Sequence, residues 1–587
     1  MARNNNTTWI SAYREREDLS PFGSAGLALF AMALKFGYDD LQTIGADAVV
    51  DGPDDKGCDI LYIDREQRIA IICQSYVAKT PKSSAQDGKA ATLRQAVSYL
   101  LEVDANSIPE RLKASALALR GAIKDGDIDF LYLWFVHNCP GSKNVKSEMK
   151  AVAESVHSAL TSRYGDRNIP AFSEEISSEV LEKLYTDTNT PILVDEHIEF
   201  KTTSQLSFQE NDWNCLVVPL SLKLLHDLYK KHKTNLFSAN VRDFLGVKAG
   251  DSNINYQMQK SLKEKPKNFF VYNNGLTILT HKIDHETTEN SEIIVKLRGI
   301  SIVNGAQTTG TIGTSNEPPP DNAFVLARFI STSSEDLIAD VVRYNNSQNA
   351  VTASDFRSTD PTQRRLVQEM GQIPEAEYDG GRRGGVSAAI KRRPKLLPSY
   401  SVGQALAAIH GAPTVSYNEK SAIWSRDVLY SRYFNEQLTA THIVFSYSLL
   451  KSIENEKNSL RLKEGSGNIM SNAETAKFAF YRKRGSVFLL AAAIGECLET
   501  ITDRVIPNRF LLSFGKTVSP EKAVAIWTPT VEALSGLHSQ LEKAFSDGLK
   551  NQETITETTK AFSQFVASVR APYATYFDVI KNSIVIS

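Results

Sequence analysis

The stretch from Asp51 to Lys79, DGPDDKGCDILYIDREQRIAIICQSYVAK, decides the fold of the N-terminal part of this chain. It contains two apolar runs, CDILYID (58–64) and RIAIICQS (68–75), which are joined by the short polar turn REQ. Short apolar runs that are bounded by polar residues are typical of β-strands. We therefore predict a β-hairpin in which the chain folds back just after Asp64.

The segments around this hairpin predict alternating helices and strands. Residues 21–36, which begin with Pro21, predict a helix, and the sequence IDFLYLWFV (128–136) predicts a buried strand. Further helices are predicted at about 85–102, 106–125 and 145–162. The order helix, hairpin, helix, strand, helix indicates an α/β unit of about 160 residues.

From about residue 185 the pattern changes to mixed strands and helices. FFVY (269–272) and LTIL (276–279) flank Asn273-Asn274-Gly275, which predicts a second hairpin because Asn and Gly tolerate positive φ. EIIVKLRGISIV (292–303) and AFVLARFI (323–330) predict further strands. Beyond about residue 415 the periodicity is mostly helical.

These patterns predict a multidomain chain of mixed α/β and α+β class. The expected divisions are an N-terminal α/β module at 1–165, a mixed α+β core at 185–415 and a mostly helical region at 416–587. The apolar stripes of the helical region favour packing or dimerisation over catalysis.

The bulk composition limits the function classes. A net charge of -2 does not favour strong nucleic-acid binding by the whole chain, so any such surface must come from local clusters. One cluster between residues 375 and 400 contains the cations Arg382, Arg383, Lys391, Arg392, Arg393 and Lys395. Contact with phosphate and an ordinary solvated loop are both open interpretations of this cluster.

The cysteines and the apolar runs predict a cytoplasmic location. The five cysteines are scattered and form no CxxC pair, which argues for a reducing compartment and against a zinc ribbon. The start of the chain lacks the apolar segment of a secretory signal, and no apolar run is long enough to span a membrane.

The HExxH, GxSxG and GxxxxGK[ST] motifs are absent, so the sequence does not support a Walker-type ATPase.

The predicted N-terminal hairpin places two oxygen donors near one sheet edge. Asp59 opens the first strand, and the period of two along the second strand puts Gln74 and Tyr76 on one face. A carboxylate and an amide oxygen are suitable ligands for Mg²⁺ or Mn²⁺ in phosphodiester hydrolysis, which also needs a cation near the attacking water. We therefore expect Asp59 and Gln74 to converge on a metal ion.

This arrangement resembles the PD-(D/E)xK nuclease superfamily, in the variant where Gln fills the acidic position. The resemblance implies a restriction-endonuclease-like fold and a strand that reads Gln-x-Lys, but here it reads Gln74-Ser75-Tyr76. Lys79 is a candidate substitute for the missing lysine. Gln95 and Tyr99 in the following helix are similar to the Gln-x-x-x-Tyr motif of RecB-type members.

Three interpretations of this module stay open. It is an active nuclease that uses Asp59, Gln74 and Lys79, or a nuclease-derived scaffold that no longer cuts, because a neutral phenol cannot replace an ammonium group. In the third interpretation, the acidic run from Asp51 to Asp59 is an ordinary solvated loop.

Four segments of the central region carry the most specific signal. They are LFSANVRDFLG (236–246), FFVYNNGLTIL (269–279), GISIVNGAQTTGTI (299–312) and VVRYNNSQNAVTASDFRSTD (341–360). These segments resemble the AIPR family, named for abortive infection and phage resistance, over about residues 190–415. The resemblance implies a role in phage defence without supplying a mechanism.

The same motifs offer candidate ligand-binding residues. A strand, a glycine turn and the start of a helix at Ser301–Thr309 would present free N–H groups to a phosphate. Amides and guanidinium groups suited to bases and phosphates are Asn240, Arg242, Asn273, Asn274, Asn304, Gln307, Thr308, Arg343, Asn345, Asn346 and Gln348. The alternative is that the Asn and Gly residues only build tight turns.

The sequence thus predicts an anti-phage protein in which a core that senses nucleic acid or a nucleotide is coupled to a nuclease or nuclease-derived module. Two alternatives stay open, a non-catalytic sensor that acts with a separate defence protein and a nucleotide-hydrolysing regulator. The expected partner is DNA or RNA and not a membrane, and a homodimer through the helical region is a further expectation.

Overall fold

The computed structural model describes the fold of most of the chain. The residues outside this description are 1–7, 39, 51, 53, 81, 166–168, 190, 191, 193, 238–260, 263, 289–291, 316, 335, 336, 339, 342–356, 359, 382–389, 391, 392 and 587. No helix in the described part of the chain is long and apolar enough to cross a lipid bilayer. All five cysteines are buried and unpaired.

The N-terminal module begins with helices and continues into the predicted hairpin. Strands β1 (Ile60–Asp64) and β2 (Ile69–Tyr76) pair in antiparallel register, with Ile60 opposite Cys73, so the chain does fold back after Asp64. The remaining elements of the module are α1 (Trp9–Arg14), α2 (Ala25–Phe36), α3 (Leu41–Ala48), α4 (Asp87–Leu101), α5 (Glu110–Asp125), β3 (Phe130–His137), α6 (Lys143–Tyr164), β4 (Ala171–Ile176) and α7 (Ser178–Asn189).

The sheet of the module has four strands in the order β1-β2-β3-β4. β2, β3 and β4 run parallel to one another, and β1 is antiparallel to β2. Side chains alternate between the two faces of β2. Ile71 and Cys73 pack towards α2, whereas Ala70 and Ile72 pack towards α4, α5 and α6. Both faces of the sheet are therefore covered, as in other sheets with parallel strands.

The central region forms a second sheet of seven strands. Its path is β5-β10-β8-β11-β7-β6, and β9 pairs with β10. The strands are β5 (Val194–Thr202), β6 (Leu206–Gln209), β7 (Trp213–Ser221), β8 (Leu276–Thr280), β9 (Lys282–Thr287), β10 (Ile293–Asn304) and β11 (Phe324–Thr332). Helices α8 (Leu222–His232) and α10 (Ala306–Gly313) pack together, and both contribute to the apolar core of this sheet.

The structure corrects one prediction for this region. Residues 269–272 form a short helix, α9 (Phe269–Tyr272), and not a strand, so Asn273-Asn274-Gly275 connects a helix to β8 and no hairpin forms there. Gly275 has a φ of +87°, as the motif predicted, whereas Asn273 is extended with a φ of -108°. Phe269 is buried in the core of the sheet, and Val271 and Tyr272 are exposed. Burial of Phe269 together with exposure of Val271 and Tyr272 suits a helical turn, in which neighbouring side chains point in different directions.

The C-terminal region is helical, as predicted, and has its own large core. The core begins at Leu366 and includes the buried indoles of Trp424 and Trp527. Its helices are α11 (Pro361–Met370), α12 (Ser399–Ile409), α13 (Pro413–Asn418), α14 (Ala422–Ser425), α15 (Asp427–Tyr433), α16 (Ala440–Gly465), α17 (Asn472–Arg482), α18 (Ser486–Glu496), α19 (Leu498–Thr502), α20 (Pro520–Ser535), α21 (Gln552–Ser568) and α22 (Arg570–Ser583). Two short pairs of strands, β12 (Glu377–Tyr378) with β13 (Leu396–Leu397) and β14 (Leu512–Ser513) with β15 (Val585–Ile586), complete the region.

The helical region binds the N-terminal module through polar contacts. Acidic or tyrosine side chains of the module meet basic or hydroxyl side chains of the helical region: Asp40 with Ser401 and Lys451, Asp47 with Arg484, Tyr62 with Lys420, Glu66 with Tyr400, and Asp125 with Lys550. A polar interface of this kind needs charge partners on both sides, because a buried charge without a partner is costly.

Two histidines of the helical region, His410 and the buried His442, lie in contact with each other. His442 donates from Nδ1 to the carbonyl of Leu512 at 2.8 Å, and its Nε2 lies 3.1 Å from Nε2 of His410. Burial lowers the pKa of His442 to about 4, and burial together with the charge of His442 lowers that of His410 well below its usual value. At these two sites the folded protein therefore binds fewer protons than the unfolded chain does at pH values between the lowered pKa values and the ordinary one.

We predict that stability falls as the pH drops below about 6.5, the ordinary pKa of histidine, towards the lowered values of the folded state. Each histidine contributes up to about 1.4 kcal/mol per pH unit in this window. Denaturant titrations at several pH values measure the slope. The slope should decrease in His442→Gln, which cannot become charged, and stay the same in His157→Gln, which alters an exposed histidine. Equal slopes in all three proteins would contradict the prediction.

Candidate functional site

Four strand ends of the N-terminal sheet meet at one edge. The parallel strands β2, β3 and β4 end there at Tyr76, His137 and Ile176, and the antiparallel β1 begins there just after Asp59. In open α/β sheets, ligands bind outside the carboxyl ends of the strands. We call this edge, with the adjoining face of α4, the carboxyl edge of the module.

Asp59 lies at this edge but is almost fully buried. Its side chain bonds to Ser75 of β2: Oδ2 accepts from the amide of Ser75 at 2.7 Å and from the hydroxyl of Ser75 at 2.6 Å. The backbone amide of Asp59 donates to the carbonyl of Cys73 at 2.8 Å, which continues the hairpin by one residue. The carboxylate thus joins the beginning of β1 to the end of β2.

Gln74 is also buried, and it directs its amide oxygen towards a helix. Its Oε1 accepts from the hydroxyl of Thr92 in α4 at 2.8 Å. The paired register ends with Ile60 opposite Cys73, so Asp59 and Gln74 each lie one residue beyond it, at the same end of the hairpin. Their hydrogen-bond partners differ, because Ser75 and Gln74 leave β2 on opposite faces.

Tyr76, which stands where the resemblance implies lysine, lies beside two lysines that the sequence analysis missed. The ammonium of Lys82 donates to the phenol oxygen of Tyr76 at 2.6 Å. The Nζ atoms of Lys82 and Lys89 lie 5.2 Å and 5.8 Å from the centre of the Tyr76 ring. The hydrogen bond raises the pKa of Lys82, so its charge persists at neutral pH. Lys79, the predicted substitute, is exposed beyond the end of β2.

The predicted residues Gln95 and Tyr99 lie on α4, the helix that also carries Lys89 and Thr92. Lys89, Thr92, Gln95 and Tyr99 are spaced three or four residues apart, so they share one face of α4. Gln95 is exposed and Tyr99 is half-buried. Lys56, which pairs with Asp54, has its Nζ 5.3 Å from the centre of the Tyr99 ring. This face of α4 therefore has a cation close to each of two tyrosines, one on the helix itself and one on β2.

A buried histidine and carboxylate at the same edge have a structural role. His137, opposite Tyr76 in the parallel register, has its Nε2 3.1 Å from Oε1 of Glu175. Glu175 also accepts from the amide of Ser142 at 3.0 Å. Burial lowers the pKa of His137, although Glu175 opposes the shift, so the ring is neutral and supports the loop after β3.

Two of the central motifs are joined by side chains. Asn273 accepts from the amide of Gly275 at 2.9 Å, and its Nδ2 donates to the hydroxyl of Thr308 at 2.9 Å. Gly305, at the start of α10, has a φ of +102°. The motifs at 273–277 and 304–308 therefore meet at the start of β8 and the end of β10.

The other predicted residues in these motifs have varied surroundings. Asn274 is exposed, and Asn304 is half-buried opposite Thr277. The structure describes the helical backbone of Gln307 but not its side chain. Arg393 of the basic cluster is paired with Glu377 and Asp379. The remaining predicted residues lie outside the described part of the chain: Asn240, Arg242, Arg343, Asn345, Asn346, Gln348, Arg382, Arg383 and Arg392.

Comparison with known proteins identifies the region that contains the central motifs. The sequence model of the family described as AIPR protein matches residues 237–573. No curated protein and no solved structure matches the chain. The matched region starts at the end of the α8 segment and extends through most of the helical region, while the N-terminal module precedes it. Because the match covers more than half of the 587 residues, the chain belongs to the AIPR protein family.

Proposed function

We propose that this protein acts in phage defence by binding nucleic acid at the carboxyl edge of its N-terminal module. Membership of the AIPR family, named for abortive infection and phage resistance, supports the defence role. The observation that carries the binding role is the approach of both Lys82 and Lys89 to the ring of Tyr76.

The two lysines are suited to phosphate. Both are exposed, and in the described part of the chain neither forms an ion pair with a carboxylate. Ammonium groups without a nearby carboxylate attract the nucleic-acid backbone and release counterions when they bind it.

The two tyrosines favour a strand with accessible bases. Tyr76 and Tyr99 are half-buried, and each is flanked by a lysine. Proteins that bind single-stranded nucleic acid combine such aromatic side chains with a basic groove. We therefore propose single-stranded DNA or RNA as the ligand of this edge.

The central motifs support a structural role more than a second ligand site. The side chains of Asn273 and Thr308 bind each other, and Gly275 and Gly305 adopt the positive φ values of tight turns. This arrangement matches the interpretation in which Asn and Gly residues build the fold of the sheet.

We predict that the double variant Lys82→Ala/Lys89→Ala binds single-stranded DNA or RNA at least about 10-fold more weakly than the native protein at low salt. Fluorescence anisotropy with labelled oligonucleotides measures the affinity, and a salt series should show a slope reduced by about 1 for each lysine removed. Lys560→Ala, which alters an exposed lysine of the helical region, serves as the matched control.

An unchanged affinity in the double variant would refute binding at this edge. Duplex DNA serves as the competing ligand in the same assay. Tighter binding of the duplex than of the single strand would contradict the role given to the tyrosines.

A further inference from the structure

We infer that Asp59 is a structural carboxylate and not a metal ligand, so that the module holds nucleic acid at its carboxyl edge without cutting it. The nucleic acid in this inference rests on the proposed function. The role of Asp59 does not, because it follows from the hydrogen bonds between Asp59 and Ser75.

Metal-dependent cleavage would require oxygen ligands directed at one common point, and the described residues of the module do not present such a set. Mg²⁺ prefers six oxygens in near-octahedral geometry, and nucleic-acid enzymes hold it through one or more carboxylates. In the described part of the chain, no group of three or more Asp, Glu, His or Cys side chains could hold a metal ion. At the carboxyl edge Asp59 bonds to Ser75, and Gln74 bonds to Thr92. The other carboxylate described there, Glu175, bonds to His137 and to the amide of Ser142.

The neighbouring acids are committed to other contacts. Asp55 accepts from the amides of Gly52 at 3.0 Å and Gly57 at 2.8 Å, which shapes the loop before β1. Asp54 pairs with Lys56. Neither Asp54 nor Asp55 is thus directed at Gln74, and the residues that the structure describes at this edge do not fit a metal ion.

Asp59 instead completes the hairpin. β1 begins at Ile60, which pairs with Cys73, so the amide of Ser75 lies past the end of that strand. The carboxylate of Asp59 serves in place of a backbone acceptor for this amide, and it also accepts a hydrogen bond from the hydroxyl of Ser75. A buried amide without a partner would be costly, so this side chain stabilises the end of the sheet.

The change at position 76 agrees with a site that binds and does not cut. The phenol oxygen of Tyr76 ends about as far from the backbone as a lysine ammonium would, and it accepts a hydrogen bond from Lys82. Lys82 therefore keeps a positive charge at the edge that can attract phosphate. Attraction of phosphate needs no metal-bound water, whereas hydrolysis by this class of enzyme does.

The experiment compares thermal unfolding of the full-length native protein, Asp59→Asn and Asp59→Ala, each with EDTA, Mg²⁺ or Mn²⁺. We expect Asp59→Asn to lower the unfolding temperature of the module by about 3 °C or more, and Asp59→Ala to lower it further. We expect the response to Mg²⁺ or Mn²⁺ to be the same in all three proteins. Asp54→Asn, from the same acidic loop but more than half exposed, should unfold like the native protein.

Two results would overturn the inference. One is an unfolding temperature that Mg²⁺ or Mn²⁺ raises in the native protein but not in Asp59→Asn, since an ion that binds only the folded state stabilises it. The other is an Asp59→Asn variant as stable as the native protein, or more stable, as expected when a carboxylate serves a ligand site. If Lys82→Ala/Lys89→Ala binds single-stranded nucleic acid as tightly as the native protein, while the Asp59 variants unfold as expected, the proposed function is refuted and the structural role of Asp59 is retained.

A second variant keeps the inference open to test even if Asp59→Ala does not fold. Tyr76→Lys restores the Gln-x-Lys spacing but supplies no further carboxylate. We expect neither the native protein nor this variant to degrade single-stranded DNA, RNA or plasmid DNA in the presence of Mn²⁺. Cleavage by either protein that is abolished by EDTA would show that Asp59 and Gln74 do hold an ion.

Discussion

Replacing Arg484 by alanine is expected to destabilise the protein by about 3–5 kcal/mol, because the change leaves buried polar groups without partners. Arg484 belongs to the helical region and is only 9% exposed. Its guanidinium group donates to the carboxylate of Asp47 at 2.9 Å, to the carbonyl of Leu61 at 2.8 Å and to the hydroxyl of Ser115 at 3.0 Å. These partners belong to α3, β1 and α5, so one side chain connects three elements of the module to the helical region.

Denaturant unfolding followed by tryptophan fluorescence measures this loss, and limited proteolysis reports release of the module. Arg426→Ala is the matched control because Arg426 forms an exposed ion pair with Glu419 at 2.9 Å. Such a pair contributes about 1 kcal/mol or less. A loss in Arg484→Ala no larger than in the control would show that the module does not depend on this contact.

Gly305→Ala should have the second largest effect, a loss of about 2–5 kcal/mol. The φ of Gly305 is +102°, and an added Cβ would lie 2.1 Å from Cδ2 of Leu276. Leu276 is buried in the core of the seven-stranded sheet, so it cannot move aside without disturbing its neighbours. The displacement would also separate Asn273 from Thr308, and the two central motifs would lose their link.

Gly515→Ala separates the two causes of this loss. Gly515 has a φ of +84° and nothing within 4 Å of an added Cβ, so this variant carries backbone strain without the collision. Denaturant unfolding should show a loss of about 1–2 kcal/mol in Gly515→Ala and a larger one in Gly305→Ala. Equal losses would mean that the contact with Leu276 is easily relieved.

Local patterns predicted the elements of the N-terminal module well. The hairpin formed as expected because its two strands are adjacent in the chain and each is apolar on both faces. The placement of Asp59 and Gln74 at the same end of the hairpin followed from the same pairing. The prediction of a strand at 269–272 was wrong because four apolar residues fit a strand and a helical turn equally well. Burial of Phe269 decided between them.

The carboxyl edge was predicted only in part. Lys82 and Lys89 gave no signal, because their approach to Tyr76 depends on how the segment after β2 returns to α4. The sequence pointed to Lys79, the nearer lysine in the chain, but that side chain is exposed beyond the strand end. Proximity in the chain is a poor guide here, since a lysine side chain is long enough to reach a site from several backbone positions.

The sequence by itself determined the classes of element in each region, the hairpin register and membership of the AIPR family, because each of these depends on local pattern or on a continuous motif. Only the tertiary structure decided that Ser75 donates to the carboxylate of Asp59, that Lys82 and Lys89 lie close to Tyr76 and that Arg484 bonds to the module. Those contacts join side chains from different elements. Their formation depends on packing directions and on competition between partners, neither of which leaves a periodic mark in the sequence.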